Sequence, residues 1–399
     1  MDMEFNALLH NNTWSLTPAK PGMNIVECKW VYRTKCKADG TVERYKARLV
    51  AKGFNQIAGF VASKTDVSLF YYTSGDSRIY PLVYVDDIIM MGNDTALLTT
   101  LLGRLSVAFK IRDLGTPTFF LGIETISVDG GLLSQRRYMD DILTRAGMVD
   151  CKSLSTPATI TKVASPSTDP YENPTQYRRL AGALQYLTIT RPDLSYAVNR
   201  ICQFMHAPTD EHWDMLKWVL RYVKGTLTYG LRLTASPSSD VHAYSDSDWA
   251  GCPIDRKFTS GYVVFLGTNL VSWVSRKQRT VARSSTEAEY KGPTDVAAEV
   301  TWAMSLLLEL GLHSSTPATL WCDNLGVTYM CANPVFHART KHVEIDYHFV
   351  RDKVTTGEFT FNFVSTKDQL ADIFTKPLVS ACFASLRDKL NVVASPPSA

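Results

Sequence analysis

The chain lacks several things, and each absence excludes something. Its eight cysteines stand at 28, 36, 151, 202, 252, 322, 331 and 382, and no two make a Cys-x-x-Cys pair. That spacing argues against a zinc site. No apolar run is long enough to span a bilayer. The opening Met1-Asp2-Met3-Glu4 has no apolar core of a secretion signal. The expectation is a reduced, soluble intracellular protein, cytoplasmic or nuclear, neither secreted nor held by a membrane. Net charge is scarce too: 42 Lys and Arg against 39 Asp and Glu leave +3. Overall charge therefore does not announce a polyanionic partner.

What is present is ample for folding. The 399 residues are 45% hydrophobic and 20% charged, enough for two or three domains with their own cores. Local charge is more telling than the total. Residues 1–60 hold nine Lys and Arg against five Asp and Glu, an excess that attracts phosphate. Segments 27–37 and 41–51 alternate about Asp39-Gly40, a hairpin signal. Lys29, Arg33, Lys35 and Lys37 share one face of the first strand, and Arg44, Lys46 and Arg48 one face of the second. Such a basic ribbon suits phosphate contact; equally, charges protect a solvated edge hairpin from aggregation.

Residues 78–92 read as strand, turn and strand, with Asp86-Asp87 at the turn. A helix follows, capped by Asn93 or Asp94. Residues 152–170, rich in Ser, Thr and Pro, read as a linker or surface loop. Three helices come next, with Pro174 and Pro192 at first-turn positions and Thr209 capping the third. From about Ser238 the pattern is three strands (240–246, 260–267, 269–276), a long helix (285–310), then alternating strands and helices to 376. That order implies a mixed sheet covered by helices. Residues 379–399, ending in Ser-Pro-Pro-Ser-Ala, are expected to fray.

Phosphodiester chemistry on paired metals needs carboxylates that hold two Mg²⁺ about 4 Å apart. Such acids come from distant points in a chain and meet at strand ends or helix starts. Asp246 ends the first strand of this region, with Asp248 on the same face as a second choice. Asp323 ends the fourth strand. Asp372 lies on the last short helix. Glu287 and Glu289 open the long helix but point apart. Both Ser284/Glu287 and Thr286/Glu289 have capping-box spacing. If Thr286 caps, Glu287 is free for metal, and that reading is preferred.

Several stretches together resemble one family. They are CKWVYRTKCKADGTVERYKARLVAKGF (28–54), LVYVDDIIMMGND (82–94), FFLGIE (119–124), LAGALQYLTITRPDLSYAVN (180–199), YSDSDWAG (244–251), SSTEAEY (284–290), CDN (322–324), RTKHVEIDYHFVRDKV (339–354) and DQLADIFTKPL (368–378). The chain resembles the C-terminal part of the polyprotein of copia-type LTR retrotransposons. The resemblance implies a mixed α/β (α+β) chain with truncated reverse-transcriptase fingers and palm, a helical connection, and an RNase H-like five-stranded mixed sheet with flanking helices. Its implied divisions are fingers at 1–60, a palm and thumb remnant at 61–150, linker and connection at 151–237, RNase H-like domain at 238–378 and tail at 379–399.

By motif, the resemblance assigns Asp86 and Asp87 to the polymerase metal pair and Asp246, Glu287, Asp323 and Asp372 to the nuclease metal site. It assigns Lys46 and Arg48, with Lys29, Arg33 and Lys35 beside them, to nucleic-acid and nucleotide phosphates. Phe120–Glu124 matches the segment that grips the primer end. His337 and His342 are candidates for assisting product release, or else surface or packing histidines. The implied cofactor is Mg²⁺, with Mn²⁺ as its alternative. The implied partner is an RNA–DNA hybrid or RNA. Nothing in the sequence sets an oligomeric state.

Two departures from the family pattern stand out. A long segment carrying the first catalytic Asp and a central palm strand should separate Ala51-Lys52-Gly53-Phe54 from Ser63-Lys64-Thr65-Asp66. Here the two stretches nearly touch, and Asp66 belongs to the later motif. DNA synthesis is therefore expected to be lost. Second, Gly292-Pro293 interrupts the long helix, where Pro removes a hydrogen bond and clashes with the carbonyl four residues back, costing about 3 kcal/mol. A kink or a restart at Pro293 is expected, with weakened nuclease activity. A non-catalytic nucleic-acid binder or a poorly folding remnant are the other readings.

Overall fold

The computed structural model describes residues 28–36, 41–51, 60–84, 87–109, 113–128, 130–160, 169–249, 255–282, 284–332 and 344–396. Contacts divide the chain into two units, Met1–Asp113 and Leu114–Ala399.

In the first unit, strands β1 (Cys28–Cys36) and β2 (Val42–Ala51) form the expected antiparallel ribbon. The register sets Arg33 opposite Lys46 and Lys35 opposite Arg44. Opposed residues share a face, so Lys29, Arg33, Lys35, Arg44, Lys46 and Arg48 belong to one side of the ribbon. A separate antiparallel sheet runs β3 (Val61–Ala62), β4 (Phe70–Ser74), β5 (Ser77–Tyr84) and β6 (Asp87–Gly92). Helix α1 (Thr95–Phe109) follows. Asp94 is its cap, accepting from the Leu97 amide at 2.9 Å, while Asn93 instead joins Arg78 and Asp76 across the hairpin.

The second unit has two sheets. Strands β7 (Phe119–Phe120), β8 (Ile123–Val128), β9 (Gly130–Ser134), β10 (Tyr229–Leu233) and β16 (Val392–Ala394) form an antiparallel sheet in the order β16-β10-β9-β8-β7. Three helices cover its core: α2 (Arg136–Ala146), α3 (Pro174–Leu187) and α5 (Asp210–Gly225), with a 3₁₀ turn (Pro192–Leu194) and α4 (Ser195–Cys202) between. Asn173 caps α3, with Pro174 in its first turn. Thr209 caps α5 through a box closed by His212. Leu216, Val219, Leu220 and Val223 of α5 are buried, as a 3.6-residue period requires. Among them lies Arg191, fully buried, bound twice by Asp193 at 2.9 and 2.7 Å and also donating to Thr226; Tyr222 donates to Asp193 at 2.6 Å.

The other sheet runs β13-β12-β11-β14-β15: β11 (Val241–Asp248), β12 (Thr259–Leu266) and β13 (Asn269–Lys277) antiparallel, then β14 (Ala318–Cys322) and β15 (Phe359–Phe363) parallel to β11. The mixed five-stranded sheet is as expected. Helices α6 (Ser285–Glu309), α7 (Leu325–Ala332) and α8 (Glu344–Thr355) flank it. Tyr290, Val296, Ala297 and Val300 of α6 bury against Ala243, Val264 and Leu320.

Two expectations need correction. Helix α6 is continuous through Pro293. Proline removes a single bond, Thr294 Oγ1 donates to the Tyr290 carbonyl at 3.1 Å, and the buried apolar face holds the rest. Residues 152–160 do not stand apart as a linker; they form a surface loop, the other of the two readings, in which the Leu154 amide donates to the Arg221 carbonyl and Trp218 Nε1 donates to that of Thr156. Nor does the C-terminus simply fray. Helix α9 (Ser380–Lys389) and β16 bury Phe383, Leu386, Leu390 and Val392 in the core of the second unit. Those four apolar side chains outweigh the polar ending. No described helix is long and apolar enough to cross a membrane.

Candidate metal centre

The carboxyl ends of β11 and β14 lie side by side, because the strands are parallel and pair Ala243 with Leu320 and Tyr244 with Trp321. That register brings Asp246, near the end of β11, beside Asp323, the residue after β14. A 3₁₀ helix (Leu370–Phe374) crosses the same end and carries Asp372. Oxygen atoms of Asp246, Asp323 and Asp372 all lie within 4.8 Å of one another. Three acids far apart in sequence thus converge.

Two glycines make room. Gly261 pairs with Asp246 across β11 and β12. A β-carbon there would come within 2.5 Å of Phe374 Cβ, so only glycine lets the 3₁₀ helix lie this close. On α6, a β-carbon at Gly292 would come 3.0 Å from Ser247 Oγ and 3.6 Å from the Asp246 carbonyl. The residue expected to break the helix is the one that lets it approach the strand of Asp246.

Polar neighbours hold the acids. Gln369, fully buried, donates to the Ser245 carbonyl at 3.1 Å and to Asp323 at 3.4 Å, and accepts from the Ala371 amide. Thr375 Oγ1 donates to Asp246. Lys376 Nζ stands 2.8 Å from Asp372 and 3.7 Å from Asp246. Asp372 Oδ1 is buried, and Lys376 is the cation that meets it.

This crowding disfavours ionisation. Burial, and then the charges of Asp246 and Asp323, raise Asp372 to about 7, against the pull of Lys376. Burial and Asp246 raise Asp323, although Gln369 and Lys376 favour its charged form. Asp248 is raised by burial and by Asp246. Burial opposes charge on Lys376, but Asp246, Asp372 and Asp323 together raise its pKa. A cluster of hard oxygen donors, converging from three separate elements within 4.8 Å, fits a divalent cation of the Mg²⁺ type.

The fourth acid differs from the preferred reading. Ser284 caps α6, accepting from the Glu287 amide at 3.2 Å. Glu287 therefore occupies the third helical position and is not among the converging acids. Glu289 is the helix acid that feels them: burial, then Asp323 and Asp246, raise its pKa. Asn324 Nδ2 donates to it at 2.6 Å, tying it to the β14 end. The two nested capping boxes were indistinguishable by spacing, and the structure adopts the first.

Of the other predicted residues, Asp87 is exposed at the start of β6, paired with Tyr84, and Asp86 lies outside the described residues. His337 and His342 also lie outside them. For Lys29, Arg33, Lys35, Lys46 and Arg48 only the ribbon register is described. Asp66 caps a turn, accepting from the Ser68 amide at 2.9 Å and from its hydroxyl. Phe120–Glu124 contains Leu121 at φ 48°, whose carbonyl accepts from Tyr186 Oη. Sequence reasoning missed Gly261, Gln369, Thr375 and Lys376. For the last three, their place in the same short segment as Asp372 was the available signal.

The reverse transcriptase (RNA-dependent DNA polymerase) family matches residues 58–160. The retrovirus-related Pol polyprotein of transposon RE2 from Arabidopsis thaliana is 41% identical across all of this chain. The chain belongs to the Pol polyproteins of copia-type retrotransposons. It spans 34% of the RE2 polyprotein. The match to RE2 runs over 495 positions against the 399 residues here, so about 96 positions of the relative face no residue of this Pol chain. An uncharacterized mitochondrial protein of the same plant, AtMg00810, is 50% identical over 56% of the chain and 94% of its own length. Among solved structures, the foamy viral protease-reverse transcriptase dRH in complex with double-stranded DNA is 14% identical. That likeness covers 72% of this chain and 46% of the viral one, with a TM-score of 0.43. This Pol chain thus carries a reverse-transcriptase region at residues 58–160, and its sheets and helices are mixed α/β.

Proposed function

We propose that this Pol chain cleaves the RNA strand of RNA–DNA hybrids, using Mg²⁺ at the acidic cluster, with Mn²⁺ able to substitute. The observation that carries the reading is the convergence of Asp246, Asp323 and Asp372, from three separate elements, within 4.8 Å. In this reading Asp246, Asp323 and Asp372 hold the metal, with Glu289 completing the set from α6. Bound there, the ions would supply Lewis-acid stabilisation of the attacking and departing oxygens. Gln369 fixes the orientation of Asp323, and Asn324 that of Glu289. Thr375 aims Asp246.

The polymerase region is proposed to make no DNA. The support is the near-contact of two motifs that the family separates, together with the 96 unmatched positions. Without the first carboxylate, the pair Asp86-Asp87 has no third ligand. The basic ribbon of β1 and β2 is proposed to contact nucleic-acid phosphates, in the cytoplasm or the nucleus.

The test is a hybrid-cleavage assay on the purified chain with Mg²⁺ or chelator, beside Asp323→Asn. Mg²⁺-dependent cleavage by the parent and none by the variant is expected. Equal cleavage by both removes the site assignment. Binding that weakens with salt, without cleavage, would leave a nucleic-acid binder instead. Template-primer extension is expected to incorporate no nucleotide.

A further inference from the structure

The acidic cluster has a guest of its own. Lys376 Nζ lies 2.8 Å from Asp372 Oδ1 and 3.7 Å from Asp246 Oδ2, on two of the three carboxylates that converge within 4.8 Å. A cation among these carboxylates stands where a metal ligated by them would stand. The lysine is anchored locally, since its backbone amide donates to the Asp372 carbonyl at 3.2 Å. Its side chain is 36% exposed while those of Asp372 and Asp246 are 6% and 12% exposed, so the ammonium sits at the mouth of the pocket. A four-carbon stem with a strongly hydrated head can swing from such a position into water.

We propose that Lys376 is a resident counter-ion of this pocket, neutralising Asp372 and Asp246 when no divalent ion is bound and swinging out when one enters. The inference rests on the metal-binding reading of the cluster. It addresses a problem that reading leaves open. Three carboxylates this close repel one another strongly, yet the pocket must keep its shape between turnovers. A tethered ammonium supplies the missing positive charge without leaving the protein. It holds Asp372 through one charge-assisted contact at 2.8 Å, which an entering divalent ion would replace. The same tether makes the lysine a competitor: every divalent ion must displace it, so the apparent affinity falls by the fraction of molecules in which the pocket is open.

The test uses the full-length chain, stripped of metal with chelator and dialysed. Lysine amines are labelled by reductive methylation with and without saturating Mn²⁺, and each site is quantified by mass spectrometry. Labelling of Lys376 is expected to rise several-fold with Mn²⁺, while Lys217, which pairs with Asp214 on a distant helix, stays constant. In parallel, Mn²⁺ binding is measured by electron paramagnetic resonance for the parent, Lys376→Met, Lys376→Gln and Asp323→Asn. Removing the competitor is expected to tighten Mn²⁺ binding about fivefold, the range of a partly exposed ion pair. Unchanged labelling of Lys376 in a chain that binds Mn²⁺ overturns the exchange, even if the variants bind more tightly, because lost charge alone would do that. No Mn²⁺ binding by the parent, or equal binding by Asp323→Asn, overturns the metal site itself, a different failure. The labelling arm uses the parent chain, so it stands even if a lysine variant misfolds.

Discussion

Replacing a presumed metal ligand usually harms both function and fold, but Asp323→Asn should separate the two. In the metal-free chain its carboxylate faces two others with oxygens within 4.8 Å. At that distance two unit charges in an effective dielectric near 20 repel by about 3.5 kcal/mol. Asp323 meets two such neighbours, but Asp372 is held partly protonated by its raised pKa, and Lys376 returns some attraction. Asp323 is also only half-buried, so water screens part of the repulsion. A net stabilisation of about 1–3 kcal/mol remains when the charge is removed. The amide keeps an oxygen for Gln369, so the hydrogen bond survives. In chelator at pH 8, the melting temperature of the variant should exceed that of the parent by about 3–8 °C. Adding Mg²⁺ should reverse the order. The parent gains about 4.1 kcal/mol at a thousandfold excess over its dissociation constant, and the variant gains little. A variant that melts below the parent in chelator, or responds equally to Mg²⁺, would refute the view that these acids are crowded for the sake of a cation.

Three further outcomes are expected. Because Asp372 binds its proton more tightly folded than unfolded, the native state carries more protons between about pH 4 and 7, and stability must fall as pH rises through that window. Urea midpoints in chelator should therefore be higher at pH 5.5 than at pH 8; the opposite trend would contradict the burial of this carboxyl. Arg191→Met leaves Asp193 charged and buried and should cost about 3–5 kcal/mol in urea unfolding, while Arg191→Met with Asp193→Leu recovers most of it; a single-variant loss below about 1 kcal/mol would show the pair to be dispensable. Glu289→Gln should weaken Mn²⁺ binding by at least about tenfold and Glu287→Gln by much less, measured by calorimetric titration; the reverse order would restore Glu287 to the metal site.

Much of this architecture was legible beforehand because it is written in local patterns. Alternation gave away β1 and β2, the spacing of Leu216, Val219, Leu220 and Val223 gave the inner face of α5, and strand ends pointed to Asp246 and Asp323. The parts that escaped depend on what lies opposite in space. A glycine in a strand, such as Gly261, does not reveal that a helix will press on it. Gly292-Pro293 looked like a fracture because its intrinsic penalty is local, whereas its support comes from packing against β11 and β14. The choice between Glu287 and Glu289 turned on which hydroxyl caps α6, and two overlapping boxes of equal spacing cannot encode that choice. The pairing of β9 with β10, nearly a hundred residues later, has no local signature at all. It draws residues 114–150 into the same unit as the mixed five-stranded sheet.

The last strand carries a practical lesson. Since β16 borders β10 and α9 plugs the same core that lies under β12 and β13, a gene fragment trimmed to 238–378 would lose Tyr222, Val223, Phe383 and Leu386 and lay bare Val263, Phe265, Leu270 and Phe374. Anyone wishing to crystallise the unit that bears the acidic cluster should begin at Leu114 and keep the chain through Ser395, whose amide is bonded to the Thr228 carbonyl at 2.7 Å. Excising that pocket whole means retaining what looked like spacer and tail.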